Sequence, residues 1–241
     1  MIPLKDDNPT ARTPVVTIAL IAANVLAFLW QLSVGLEISV LRGGAIPYEI
    51  LTFSDVVSRF GDGVRGGVQL PALVPPPFTI LTSMFLHGGL VHLGGNMLFL
   101  WIFGNNVEDV LGRGRFVAFY LGCGIAAALA QVGVSVMTGD LLTPMVGASG
   151  AIAGVLGAYL ALFPGARVLT LVPIFIFIQL VWLPAGLLIG VWVVLQVLPM
   201  LFGAAGGIAY MAHLGGFIAG YGYVRFTGGR ARWIRPRRTW W

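Results

Sequence analysis

Charge is what this 241-residue chain has least of: only 10% of its residues are Asp, Glu, Lys or Arg, while 58% are hydrophobic. An average soluble domain carries about 25% charged residues. So few charges cannot cover a water-facing surface, which argues against a soluble globule. Disorder is excluded as well, because it needs low hydrophobicity and high charge. Cysteine is almost missing: Cys123 stands alone, so neither an internal disulfide nor a Cys-based zinc site is available. Histidine occurs three times, as His87, His92 and His213. What the chain does have is 34 glycines and long apolar runs, the composition of an integral membrane protein.

Charged residues are absent from Thr13 to Leu36, Phe116 to Gly139, Leu141 to Ala166 and Val168 to Val224. A spanning helix needs about 20 mostly apolar residues. The first three gaps each hold one. The fourth holds two, separated by Pro199, Gly203, Gly206 and Gly207, residues that break helices. A further apolar run, Leu86 to Val107, ends at Glu108. Six spans follow, over 14–35, 88–107, 116–137, 148–164, 172–198 and 208–226. They are helices rather than barrel strands, because the runs are long and lack period-two alternation. The first is too long for a signal-peptide core and has no clear small-residue cleavage site after it.

Six spans put both termini on one side. That side carries Lys5, Arg12, Arg113, Arg115, Arg167, Arg225, Arg230, Arg232, Arg235, Arg237 and Arg238; the other carries Arg42, Arg59 and Arg65, offset by Glu37, Glu49, Asp55 and Asp62. The excess of basic residues makes the terminal side cytoplasmic and places the protein in a plasma or inner membrane. The chain divides into a cytoplasmic segment 1–13, a six-helix domain 14–226 and a basic tail 227–241. The tail's arginines and three tryptophans suit membrane lipids of an anionic inner leaflet, and no nucleic-acid partner is expected. Glu37 to Thr79 forms a long first outer loop, in which the prolines between Leu70 and Phe78 forbid a regular helix.

Polar side chains at membrane depth are functional suspects. Ser149, in Gly147-Ala148-Ser149-Gly150 after Pro144, falls at a loop-to-helix junction. It reads either as a helix N-cap or as an exposed nucleophile beside free helix amides. His213 reads either as a histidine bonded within the bundle or as a base for that nucleophile. Gly216 and Gly220 share its helical face, and Gly150, Gly154 and Gly157 line the helix below Ser149. Such small-residue stripes let helix backbones approach closely, which would bring hydroxyl and imidazole into hydrogen-bond reach. His92 and Asn96, four residues apart, lie on one helical face and both can donate to a developing oxyanion. A zinc site would need all three histidines and leave Ser149 and Asn96 unexplained, so no metal is expected. With Asp140 alone in the loop before Ser149, a Ser-His dyad is more economical than a triad.

The ordered set Thr82-Ser83-Met84-Phe85-Leu86-His87, His92-Leu93-Gly94-Gly95-Asn96, Gly104 to Glu108 with Gly112, Gly147-Ala148-Ser149-Gly150 and Ala212-His213-Leu214-Gly215-Gly216 resembles the rhomboid family of intramembrane serine proteases. The resemblance covers roughly residues 14–226. It implies an all-α membrane protein, a six-transmembrane-helix bundle with a long first outer loop. It also implies an endopeptidase that needs no cofactor and cleaves transmembrane segments of membrane-protein substrates. By resemblance Ser149 is the nucleophile, His213 the general base, and His92, Asn96 and the Ser149 amide the oxyanion site. His87 and Gly147 are supporting, and Glu108 is structural, tying the turn that holds Arg113 and Arg115. Two features depart from well-known members. Ala153 stands where some carry a Tyr that packs on the imidazole, and the frequent Trp-Arg pair of the first outer loop is missing. Another residue must therefore hold His213.

Overall fold

The computed structural model describes residues 1–56, 72–174, 177–201 and 209–228. Arg59, Asp62 and Arg65 of the outer loop, Gly203, Gly206 and Gly207 of the expected helix break, and the tail Arg230–Trp241 lie outside the described residues.

The chain is mostly helical. Helix α1, Val15–Val34, is followed by the short helices α2, Leu36–Gly43, and α3, Pro47–Thr52. One 3-10 turn at Pro76–Phe78 leads into α4, Thr79–Ser83. Helix α5, Leu90–Phe99, runs through a π turn at Leu100–Gly104 into α6, Asn105–Leu111. Then come α7, Arg113–Thr138; α8, Ser149–Leu162; α9, Ala185–Leu201; and α10, Tyr210–Phe226. Among the described residues α1 and α7 are long and apolar enough to cross a membrane, and α8 and Ala185–Leu198 are shorter apolar helices.

The all-α expectation needs one correction. Strand β1, Ile2–Asp6, pairs antiparallel with β2, Arg167–Ile174, which pairs antiparallel with β3, Phe177–Pro184. The span expected at 172–198 therefore begins as helix only at Ala185. The run 168–184 is dense in Val, Thr, Ile and Trp, whose β-branched and aromatic side chains favour a pleated surface. Pro173 and Pro184 also lack the N–H a helix would need. Pro173 is tolerated in β2 because β1 stops short of it, its last pair being Ile2 with Leu171, so the missing donor faces no partner strand.

Helix α8 is the hub. Every residue from Gly150 to Tyr159 is buried, as expected for a helix apolar all round. Phe103, Phe116 and Tyr120 from neighbouring elements share one buried core with Leu156 and Leu162 of α8, and the Tyr159 ring meets Phe103 edge-on at 4.9 Å. Glu108 accepts hydrogen bonds from the Val16 amide at 2.9 Å, the Thr17 amide at 2.7 Å and the Thr17 hydroxyl at 2.8 Å. It satisfies the orphan donors at the start of α1, so the tie it makes joins α1 to α6.

The first outer loop is pinned to the segment that leads into α8. Ala45 and Met145 exchange amide-to-carbonyl bonds at 2.9 Å, and the Tyr48 amide donates to the Leu141 carbonyl at 2.9 Å. The Thr82 hydroxyl reaches the Gly43 carbonyl at 2.7 Å. The bonds made by Ala45 and Tyr48 fix the approach to Ser149 from a part of the chain about a hundred residues away.

Candidate active site

The seam between α8 and α10 is made of backbone. A Cβ on Gly216 would overlap the Gly150 carbonyl, one on Gly220 the Gly154 carbonyl, and one on Gly157 the Phe217 carbonyl. No side chain larger than hydrogen fits there, so the helices touch main chain to main chain, as small-residue stripes allow. The seam carries Ser149 and His213 at the same end. The Ser149 Oγ lies 2.7 Å from His213 Nε2, a normal O–H to N hydrogen bond.

Ser149 is the first residue of α8. The N-cap is Ala148, and no side chain caps the helix. The serine hydroxyl is therefore committed to the imidazole and not to the helix end, and the amides of the first turn point out of α8 without a helical partner. Its approach is set by Gly147, whose φ of +127° suits glycine. A Cβ there would stand 2.9 Å from His92 Nε2 and 3.4 Å from Ser149 Oγ. Gly147 thus keeps the space between His92 and the serine free, while its amide donates to the Ser83 carbonyl at 2.8 Å.

On α5, His92 Nδ1 accepts from the Gly88 amide at 3.3 Å. That bond makes Nε2 the protonated nitrogen of a neutral ring, and Nε2 is the one turned toward Gly147. Asn96 is buried one turn on, and its Nδ2 has no hydrogen-bond acceptor among the described residues. His87 is fully buried, and neither ring nitrogen has a partner among the described residues. Its ring sits edge-on to that of His92, centroids 5.1 Å apart. The His87 main chain is clamped by Gln31, which accepts from its amide at 2.8 Å and donates to its carbonyl at 3.1 Å. A cavity of about 40 Å³ adjoins Ser149, between Ser83, Met84, Ala127, Gly147 and Ala212. That is room for water on a measure where one molecule takes about 10–15 Å³.

Two residues were not foreseen from sequence. His213 Nδ1 donates to Gln196 Oε1 at 2.7 Å, with Nε2 turned to the serine. Trp192, one turn earlier on α9, tilts against the imidazole with ring centroids 5.8 Å apart. Together they occupy the role left open by Ala153. A polar residue at helical spacing from an aromatic, Trp192 and Gln196, in an otherwise apolar run was the available signal. Asp140 stays in its loop and accepts from the Thr143 hydroxyl at 2.8 Å.

A family model described as Rhomboid domain matches residues 76–230, the stretch that contains His87, His92, Asn96, Ser149 and His213. The chain belongs to the rhomboid family. Its relatives include Rhomboid protein 1, mitochondrial, of Saccharomyces cerevisiae, 33% identical over 172 residues, covering 68% of this chain and 46% of the yeast protein. Presenilin-associated rhomboid-like protein, mitochondrial, of Mus musculus is 32% identical over 148 residues, covering 61% of this chain and 37% of the mouse protein. Rhomboid protease GluP of Bacillus subtilis is 44% identical over 81 residues, covering 34% of this chain and 15% of that protein. The chain spans less than half the length of these rhomboid relatives.

Proposed function

We propose that this rhomboid is an intramembrane serine endopeptidase that hydrolyses a peptide bond in transmembrane segments of membrane-protein substrates. The observation that carries the reading is the 2.7 Å contact between Ser149 Oγ and His213 Nε2 at the start of a helix, where the first amides have no partner within the helix. Ser149 attacks the carbonyl carbon and passes its proton to His213. The oxyanion is received by the Ser149 amide, His92 Nε2–H and Asn96 Nδ2. His213 then protonates the leaving amine, and water hydrolyses the acyl-enzyme with His213 again as base. His87 and Gly147 support this arrangement, the first by packing on His92 and the second by leaving room for it.

Gln196 orients the base. By accepting from Nδ1–H it selects the tautomer whose Nε2 carries the lone pair aimed at Ser149, the positioning task that an aspartate performs in a triad. As a neutral amide it adds orientation without a full compensating charge.

In this reading the membrane spans are α1, α5 through α6, α7, α8, α9 and α10, with both termini on one side. The basic excess on that side makes it the cytoplasmic or matrix face, since the positive-inside rule serves a bacterial inner membrane and a mitochondrial one alike. Relatives named mitochondrial move the compartment from the plasma membrane toward such an inner membrane. Substrate reaches the site laterally past α9, on which Leu187, Val194, Leu195 and Leu198 are exposed. A helical substrate bond is shielded, so the cleaved segment carries small or helix-weakening residues that unwind at lower cost.

The test is a serine-directed fluorophosphonate probe on the full chain in detergent or nanodiscs, beside cleavage of transmembrane test substrates. Wild-type labelling and cleavage that both disappear in Ser149→Ala support the enzyme. Equal labelling of that variant, or cleavage that survives in it, ends the proposal.

A further inference from the structure

The three-stranded sheet takes no part in the proposed chemistry, and its two faces are unlike. Pro3, Val168 and Thr170 are buried on one face, toward the helices. On the other, Ile2 is 49% exposed, Ile178 69%, Leu180 61% and Trp182 43%. The register puts these on one surface: Leu180 pairs with Leu171, which pairs with Ile2, and Trp182 pairs with Leu169, which pairs with Lys5. An apolar sheet face open to water marks an interaction site.

Three observations say what covers it. First, the sheet lies beside the helices: Asp6 accepts from Asn106 Nδ2 at 2.8 Å and from the Tyr159 hydroxyl at 2.6 Å, and β1 packs along the π turn and α5. From its base at Asp6, Arg167 and Pro184, the sheet thus extends along the flank of the bundle. Second, β3 runs directly into α9, where Leu187, Val194 and Leu195 are also exposed, so one apolar surface continues from sheet to helix. Third, cations stand at the base of the same sheet face. Lys5 Nζ lies 5.8 Å from the centre of the Trp182 ring, and Arg167 is exposed opposite Pro184.

We propose that this face of the sheet docks on phospholipid of the adjoining leaflet. Lys5, Arg167 and Trp182 sit at the level of anionic headgroups, and Ile2, Ile178 and Leu180 reach the boundary of the acyl chains. An amphipathic ring beside a lysine is the pairing that interfacial belts use. The sheet order β1-β2-β3 leaves β3 at an edge. Unpaired edge amides are excluded from hydrocarbon, which holds the docking depth to the interface, where water and headgroups can serve them. The strands therefore anchor the start of α9 to the membrane surface. This inference stands whether or not the chain is a protease.

The experiment places a nitroxide spin label on the full chain at Ile178→Cys or Leu180→Cys, in vesicles of phosphatidylcholine with phosphatidylglycerol. The native Cys123 is buried, and unmutated protein gives the background. Thr143→Cys, in an exposed loop at the other end of α7, is the water-facing reference. Collisions with oxygen, which concentrates in lipid, should exceed those with a water-soluble nickel chelate at 178 and 180, and the ratio should reverse at 143. Nickel access at 178 and 180 equal to that at 143 overturns the proposal. So does protection from both reagents, with dipolar broadening pointing to a second copy and its absence to cover by the chain's own tail. Lys5→Ser with Arg167→Ser should shift the Leu180 label toward water in anionic vesicles and leave it in place in neutral ones; no shift in the anionic vesicles overturns the headgroup contact.

Discussion

The two helices that meet His213 hold it by different means. Helix α8 meets α10 through glycine, with the Gly150 and Gly154 carbonyls where side chains of Gly216 and Gly220 would be, and every residue of α8 from Gly150 to Tyr159 is buried. Helix α9 is buried at Ala185, Leu188 and Ile189, near its start. Farther along it offers Trp192 and Gln196 to the imidazole while Val194, Leu195 and Leu198 stay exposed. The serine-to-imidazole distance thus belongs to a seam that cannot slide without a backbone clash, because packed interiors resist small displacements. The orientation of the imidazole belongs to a helix whose apolar side chains are buried near its start and exposed farther along. If α9 is the gate, admitting a substrate loosens the base's orienter, and its return restores it, so that access and chemistry are ordered in time.

The sharpest way to break this contrast is one methyl in the seam. Gly216→Ala puts a Cβ into the Gly150 carbonyl. Overpacking of this kind costs about 1–3 kcal/mol, and a shift of about 1 Å in a reacting pair can cost roughly 10²-fold in rate. Cleavage is expected to fall by about that factor, with a lower thermal midpoint in detergent. Gly122→Ala on α7, where a Cβ meets nothing within 4 Å, is the matched control and should be neutral or slightly stabilising. Equal effects at both positions would mean that the seam is no more constrained than the lipid-facing surface.

Asn96→Ala comes next. Removing one oxyanion donor costs up to about 10²–10³-fold in well-studied hydrolases; with His92 and the Ser149 amide remaining, a fall of about 10²-fold or less is expected, in kcat and with fluorophosphonate labelling slowed. Full activity would remove Asn96 from the site. Gln196→Leu should cost less, roughly 3- to 10-fold in kcat with KM little changed, the scale of one neutral hydrogen bond. Gln196→Glu restores the acceptor and should recover most of it. If Glu fails where Leu is tolerated, Gln196 packs rather than positions.

Much of the helical layout was legible because apolar runs between charges are a direct record of membrane depth. The start at Ser149 needed nothing beyond local sequence, whereas α7 already begins at Arg113, in what the charges marked as a turn before a span at 116. The glycine spacing on two distant segments announced the seam that joins Ser149 to His213, since only close backbone approach rewards such spacing. The hairpin was hidden for the same reason the helices were visible: Val168 to Pro184 is as apolar as a span, and hydropathy does not distinguish a strand from a helix in lipid surroundings. The proline pair and the β-branched residues carried that information. Gln196 was hidden because a single amide in an apolar helix has no partner in sequence; its role exists only once α9 is laid against α10.

The smallest expected effect tests whether the start of α9 is tethered through the sheet. Asp6 anchors β1 to Tyr159 and Asn106, β1 holds β2, and β2 holds β3, which continues into α9. Burial raises the Asp6 carboxyl above its ordinary value, outweighing the hydrogen bonds from Tyr159 and Asn106 that lower it. A group whose pKa is raised on docking gives its stabilisation fully below the ordinary carboxylate value and loses it as pH climbs through the raised one. Asp6→Asn keeps a neutral acceptor and cannot ionise. Relative to wild type, the thermal midpoint of this variant should therefore be higher at pH 7 than at pH 4, by less than about 4 °C in a chain of this size, and the comparison cancels every other titrating group. A difference that is flat with pH would mean that the carboxylate pays nothing for its burial, and that the sheet is held at Asp6 by shape alone.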